Sequence, residues 1–450
     1  MRIKRRFGAV FAIVATAALV ASGCSSGDSD DSGSKSDLYA GPVTLEWWHN
    51  GNQEGPLRTL WQKVADDFHN LHPTVTIKVT PIETNELQRN RLPAALLSGN
   101  PPDIFQAWGG GEMVEQVKSD YLMDITAATK NEVASMGPTS KIWSVDGKQY
   151  GLPFSFGIEG FWYNKDMFAK AGITEPPKTM TELMDDAKKL TVKNSDGSIK
   201  VAGFVPLQDF EQLGIYDLAR MWGAKFFDDN GDPVLSSDPA WASALDWQKQ
   251  LIDYYGYDNI IKFNAAYGGD NEFSASNAFE TGKVAMMFDG EWRTAFIKRE
   301  HPELNYGTAF FPSADDHPDL YGSQRVGGTV VGIPQGSKYP DQAWLLVKFL
   351  STDPGYITTM ANQVGNVPTT VETASSPDLK LPEQFQPFID VWQNKDSSFF
   401  PPLTTAGRGY FLPLQQFVDK WQAGNVSDLQ SGLQGVDEQI KNNLALGDQP

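Results

Sequence analysis

Two periodicities alternate along this chain and divide it into strands and helices. Residues 43–48 (VTLEWW) are a run of strand formers. Leu57, Leu60, Trp61, Val64, Phe68 and Leu71 then recur on one helical face, with Pro56 suited to the first turn. Val75, Ile77 and Val79 alternate as in a half-buried strand. Strand, helix and strand in immediate succession predict a βαβ unit and a parallel pair. A helix over about 85–98 and a strand over 103–108 continue the pattern.

The texture changes in the middle of the chain. Asp146-Gly147, Asp196-Gly197 and Asn230-Gly231 are hairpin-turn dipeptides. Helices are predicted over 180–190, opened by a capping box of Thr179 with Glu182, and over 239–254. An apolar strand at 284–288 runs into Asp289-Gly290-Glu291-Trp292, with a helix from about 292 to 299. Gly327-Gly328 precedes another apolar strand at 329–333. Pro340 opens a helix carrying Ala343, Trp344, Val347 and Leu350, and the last quarter reads as mostly helical. Trp61 and Trp344 lie on apolar helical faces and are expected in the core. Trp47 and Trp48 alternate on a strand, so at least one of them belongs there.

The first residues form a different pattern. Arg2, Lys4, Arg5 and Arg6 precede an apolar run over 7–21, too short to span a bilayer comfortably, and small residues then lead to Cys24. This is the layout of an export signal over 1–23. Cys24 is the single cysteine and stands where a bacterial lipobox places its lipidated thiol, although Ala21 replaces the usual Leu. Ordinary signal cleavage beside an incidental cysteine is the alternative. Residues 25–36 (SSGDSDDSGSKS) contain nothing that can pack, so 24–41 is expected to be a flexible tether.

Length and charge narrow the function. A chain of 450 residues favours at least two domains. It holds 40% hydrophobic residues, and 13 Trp, 14 Tyr and 26 Phe make it rich in aromatics. Removing the four basic residues of the leader takes the net charge from −19 to −23. Nucleic acid and anionic lipid would be repelled, and an anionic ligand is disfavoured.

Catalytic signatures are missing from this pattern. Five His residues give no metal set, and His69 and His72, followed by Pro73, read as an ordinary helix end. The G-x-S-x-G pattern at 23–27 lies across the cleavage point, and Gly282-Lys283 lacks the rest of a P-loop. No metal, cofactor or catalytic residue is therefore expected. In open α/β sheets ligands bind beyond the carboxyl ends of strands, which points to the loops at 49–54 and 108–111. Asn50, Asn52 and Glu54 lie in the first; Trp108 and Gly109 lie in the second, where glycines permit close approach. Each has a bland alternative, a solvated loop or a core position. Gln106, on the strand itself, faces either cleft or core.

Seven stretches in order carry a resemblance: VTLEWWHN, LLSGNPPDIFQAW, DGKQYGLPFSF, GFWYNKDMF, DDNGDPVLSS, FETGKVAMMFDGEW and AWLLVKFL. Together they resemble family 1 of the extracellular solute-binding proteins, the group that includes maltose-binding protein. The resemblance implies an α/β, two-lobed periplasmic-binding-protein-like fold with the ligand cleft between lobes. It places the N-lobe at 42–154 plus 308–355 and the C-lobe at 155–307 plus 356–450. It implies a non-enzymatic, lipid-anchored monomer on the extracellular face, partnered by a small oligosaccharide and by the permease of an ABC importer.

The family also implies site residues. Trp292 occupies the position of a stacking Trp, where the alternative is a helix-start Trp packed between lobes. Asn164 matches a position near the cleft. Asp289 and Glu291 flank Trp292, and Arg408 and Tyr410 fall where the family makes late cleft contacts. Gly327 and Gly328 would present backbone amides. Sugars need flat apolar surfaces for their C–H faces and paired donors and acceptors for their hydroxyls, which these residues supply. The Ala107-Trp108-Gly109-Gly110-Gly111 loop resembles that of binders of short β-linked sugars such as xylobiose. A binder of a non-sugar solute and a secreted glycoside hydrolase are the competing readings. The 56 acidic residues make a carboxylate pair nearly uninformative on the second.

Overall fold

The computed structural model describes residues 41–49, 56–83, 86–108, 111–136, 144–393, 398–404, 406–407 and 409–447. Asn50, Asn52, Glu54, Gly109, Arg408, Cys24 and the leader lie outside the described residues.

The chain opens as predicted, with strand β1 (Val43–His49), helix α1 (Pro56–Leu71) and strand β2 (Val75–Pro81). β1 pairs in parallel with β2 and with β3 (Ile104–Trp108). Trp47 and Trp61 are buried, while Trp48 is half-buried beneath the Arg91 guanidinium, 5.4 Å from its ring. Leu71 departs from its pattern: it is 60% exposed, because the helix ends there and its last turn leaves the core. At that end His69 Nδ1 lies 2.7 Å from the Val75 carbonyl oxygen. The helix foreseen over 85–98 begins as a π-helical turn at Leu87–Arg91 and continues as α2 (Leu92–Leu97).

The element that organises the molecule is β4 (Gly151–Asn164), a strand of 14 residues. At about 3.3 Å per residue it is long enough to serve two groups of strands. Its first half pairs antiparallel with β8 (Gln324–Gly332), and its second half with β6 (Val284–Gly290) and β7 (Tyr306–Ala309). β8 in turn pairs antiparallel with β3, and β5 (Ile199–Phe204) pairs in parallel with β6. One mixed sheet results, in the order β2-β1-β3-β8-β4-β6-β5. The result is an α/β architecture, a mixed sheet with helices packed against it.

Helices cover the sheet where the sequence foresaw them. The capping box at Thr179 and Glu182 opens α4 (Met180–Leu190), which follows α3 (Lys165–Ala171). Asp238 caps α6 (Pro239–Tyr255), which follows α5 (Ile215–Arg220). α7 (Arg293–Glu300) begins one residue later than expected. In α8 (Pro340–Thr352) the buried face is Ala343, Leu346, Val347 and Leu350. Trp344, expected in the core, is only half-buried, because it sits one residue from that stripe and packs at its edge. α8 packs with β1, α1 and the start of β4 in one apolar cluster; a second runs through β6, α4, α6 and the C-terminal helices. Among the described residues no helix is long and apolar enough to cross a membrane.

Candidate functional site

Alternate residues of a strand share a face. On β4 this places Ser155, Gly157 and Glu159 together, and on β8 Arg325, Gly327 and Thr329. The register sets Gly157 opposite Gly327 and Ser155 opposite Thr329. One step beyond the paired Ile158 and Val326, Glu159 and Arg325 meet as an ion pair. The same face thus carries a hydroxyl ladder at one end, bare glycine in the middle and a charged pair at the other.

The hydroxyl end is tightly connected. Ser155 Oγ and Thr329 Oγ1 lie 3.0 Å apart, and Gln106 Nε2 donates to Thr329 Oγ1 at 3.0 Å. Gln106 Oε1 is buried without a hydrogen-bond partner. Gln106 therefore faces this polar strip and not the apolar core. Trp108 ends β3 opposite Thr329; its side chain lies outside the described residues.

Glycines make the middle of the face accessible. A Cβ on Gly157 would sit 3.2 Å from the Trp292 ring, and one on Gly290 would sit 2.1 Å from it. The indole therefore lies over the backbone of Gly290, where only glycine fits, and against that of Gly157, and Trp292 itself remains partly exposed. A Cβ on Gly327 would meet nothing within 4 Å, so the space above it is open. Gly328 has φ +125° and its Cβ position is 2.1 Å from the Ser155 carbonyl oxygen, a conformation and contact that require glycine. Trp292, Gly327, Gly328 and Gln106, all picked from sequence, are brought together here.

Asp289 and Glu291 have a different role from the ligand contacts expected of them. Both are fully buried. Glu291 Oε2 accepts from the Ile158 amide at 2.7 Å, and burial pushes its carboxyl up to about 8. Asp289 Oδ2 accepts from Arg293 Nε at 2.6 Å, and its carbonyl accepts from Trp162 Nε1 at 2.9 Å. Arg293 is itself fully buried and also reaches Glu280 Oε1 at 3.0 Å and Glu211 Oε2 at 3.7 Å. Burial pushes the Glu211 carboxyl up to about 8, with Asp289 adding to the effect, and pushes Glu272 nearby up to about 7. These groups hold the turn that carries Trp292 from both sides.

Two further candidates sit in structural positions. Asn164 is buried at the end of β4 and caps α3, its Oδ1 accepting from the Met167 amide at 2.9 Å. Tyr410 is 4% exposed, edge-on to Phe226 with ring centroids 4.9 Å apart. A short polar residue before a helix and an aromatic in an aromatic-rich chain are explained by capping and packing, and sequence alone did not separate those from ligand contact.

Sequence reasoning missed Ser155, Glu159, Asp217, Arg325 and Thr329. Arg325 Nε lies 3.4 Å from Asp217 Oδ1, and Glu159 and Asp217 are each 4% exposed. The available signal was period two: Ser155, Gly157 and Glu159 alternate in FSFGIEG, and Arg325, Gly327 and Thr329 in QRVGGTV. A separate open cavity of about 630 Å³, lined by Trp222, Lys225, Asp228, Asp238, Asp316 and His317 among others, shares no residue with this face.

Residues 51–357 match the family model of bacterial extracellular solute-binding proteins. A putative binding protein of Brucella abortus is 29% identical over 267 residues, which is 55% of this chain and 60% of that protein's length. A diacetylchitobiose-binding protein of Streptomyces coelicolor is 28% identical over 340 residues, covering 73% of this chain and 74% of the relative. In structure, CpMnBP1, solved with mannotriose bound, superposes with a TM-score of 0.77 at 28% identity, covering 88% of this chain and 100% of that one.

Proposed function

The chain belongs to the family of bacterial extracellular solute-binding proteins, and from that premise we propose that it captures a short oligosaccharide outside the cell for an ABC importer. The observation that carries this reading is the partly exposed Trp292 ring, packed on Gly157 beside the open space above Gly327. A flat apolar ring over bare backbone suits a sugar C–H face, and the hydroxyls of Ser155 and Thr329 with the Gln106 amide suit its hydroxyls. No step of chemistry is assigned: the protein binds its ligand and hands it on to the transmembrane subunits of the permease.

The finer proposal is a β-linked sugar of two or three units, such as xylobiose. Two observations support the size and the loop. The similar proteins are named for, or were solved with, diacetylchitobiose and mannotriose. Trp108 ends β3 in register with Thr329, immediately before the glycine run at 109–111. Calorimetric titration against xylo-, manno-, cello-, malto- and chito-oligosaccharides tests the whole reading. A di- or trisaccharide should bind with a Kd of about 1 μM or tighter, roughly −8 kcal/mol. Absence of binding across the panel, or release of phenol from an aryl xyloside, overturns it.

We further propose that Cys24 anchors the chain to the cell membrane through lipid. The Cys24→Ala variant should appear in culture supernatant, and its retention in the membrane fraction to the extent of the natural protein would exclude the anchor.

A further inference from the structure

The cation on the glycine-strip face is already neutralised. Arg325 is partly exposed and ion-paired with Glu159, with Asp217 within 3.4 Å. Asp217 Oδ1 and Arg325 Nε are both buried and meet each other at 3.4 Å, and Glu159 Oε2 is buried without a hydrogen-bond partner. Buried polar atoms are seldom left so. Two carboxylates and one guanidinium therefore come together one residue pair along from the open space above Gly327, on three different elements, β4, α5 and β8.

A guanidinium is the side chain best suited to take a ligand carboxylate or phosphate in bidentate fashion. Here its charge is met from within. Burial pushes the Asp217 carboxyl up to about 8. With Asp217 protonated the three groups sum to zero; with it ionised they carry one negative charge. In neither state do they offer positive charge to a ligand. Arg220, one turn along α5, donates to the Ala224 carbonyl at 3.1 Å and lies over the Phe399 ring at 5.1 Å. The unpartnered acceptors Glu159 Oε2 and Gln106 Oε1 suit a ligand rich in hydroxyl donors.

We propose that Glu159, Arg325 and Asp217 form a charge filter in the floor of the cleft, restricting the ligand to uncharged sugars and rejecting uronates and sugar phosphates. The inference rests on sugar capture at the Trp292 face. A ligand carboxylate placed there would face carboxylate oxygens in a weakly screened site, so discrimination of roughly a hundredfold is expected. Glu159→Gln keeps the shape of the side chain, removes its charge and releases Arg325 toward the ligand.

The experiment titrates the natural protein and Glu159→Gln with mannobiose and xylobiose and with the uronate dimers dimannuronate and digalacturonate. The natural protein should bind a neutral disaccharide roughly a hundredfold more tightly than either uronate. Glu159→Gln should narrow that gap by about tenfold or more, through a gain in uronate affinity. Melting curves accompany each titration, and should Glu159→Gln fail to fold, Asp217→Asn replaces it at pH 9, where the natural Asp217 is ionised and the same narrowing is expected. Uronates bound as tightly as neutral sugars, or a gap unchanged in a folded variant, overturns the filter while leaving sugar capture standing. If no sugar, neutral or acidic, binds the natural protein, the capture reading falls and the filter with it.

Discussion

At Trp292 one ring closes over the backbone of Gly157 and Gly290 and stays partly exposed. Covering a sugar face hides roughly 50–80 Å² of apolar surface, worth about 1–2 kcal/mol. Trp292→Ala should therefore weaken binding of the best sugar about tenfold, since each ~1.4 kcal/mol is a factor of ten. Trp47→Ala is the matched control, because that ring is fully buried against Trp61 and Phe154 in the cluster built on β1 and α1. It should cost about 3–5 kcal/mol of stability through the cavity it leaves, with little effect on the affinity of the folded protein. Gly327→Leu tests the open space directly: nothing opposes its Cβ, so the melting temperature should hold while the side chain obstructs the ligand. Unchanged affinity in both Trp292→Ala and Gly327→Leu would remove the ligand from this face. Trp292 was legible in the sequence because Asp-Gly-Glu-Trp breaks the strand abruptly, whereas Asn164 and Tyr410 carry residue types that caps and aromatic cores use equally.

The turn between β6 and α7 is an element whose position depends on buried charge. Arg293 is held by Asp289, Glu280 and Glu211, and Glu291 is fixed to β4 through the Ile158 amide. Removing one partner of a buried ion pair typically costs about 3–5 kcal/mol, because the remaining charge stays uncompensated. Arg293→Met should thus lower stability by that order and loosen Trp292, weakening sugar binding as well. The penalty should be smaller at pH 5.5 than at pH 8, since protonation removes the charge that Arg293 no longer balances. Urea melts at the two pH values measure this, and an equal or larger loss at pH 5.5 would contradict it. Sequence showed the charged dipeptides on either side of Trp292 but not their direction. A carboxylate beside a turn looks the same whether it points at a ligand or at an arginine four residues away.

Across the whole molecule, buried acids set an unusual dependence of stability on pH. Glu211, Glu291 and Asp217 are raised to about 8 and Glu272 to about 7, in each case chiefly by burial. The ordinary value for Glu is 4.5 and for Asp 3.8, so between those values and about 8 the folded state holds protons that the unfolded state has released. Stability from these groups is therefore full at the acid end of the window and is lost as pH rises through it. His49 acts in the opposite sense: burial lowers it to about 3, so below 6.5 only the unfolded chain takes up its proton. Four acids outweigh His49 and His72, which burial also lowers, and the melting temperature should be higher near pH 5.5 than at pH 8. A melting temperature that climbs steadily to pH 8 would exclude this charge arrangement, and Glu291→Gln should flatten the slope. At the same scale, a strand shared by two groups of strands suits a hinge, and saturating sugar should reduce the radius of gyration in small-angle scattering. No change at saturation would separate binding from closure.

The sequence by itself determined the elements and their class. Apolar period marked β1, α1, β2 and α8, turn chemistry marked the hairpins, and caps marked α4 and α6, because these depend on neighbours a few residues apart. The family resemblance marked Trp292 and the Gly327-Gly328 pair as proposed ligand positions. Tertiary structure alone decided which strands lie side by side. The alternation of Ser155, Gly157 and Glu159 is visible in the chain, as is that of Arg325, Gly327 and Thr329, yet more than 160 residues separate the two. Only the antiparallel register of β4 and β8 makes them one surface. The same register turns an isolated Arg325 into one held by Glu159, and it settles whether a charged side chain is offered to a ligand or to its own protein.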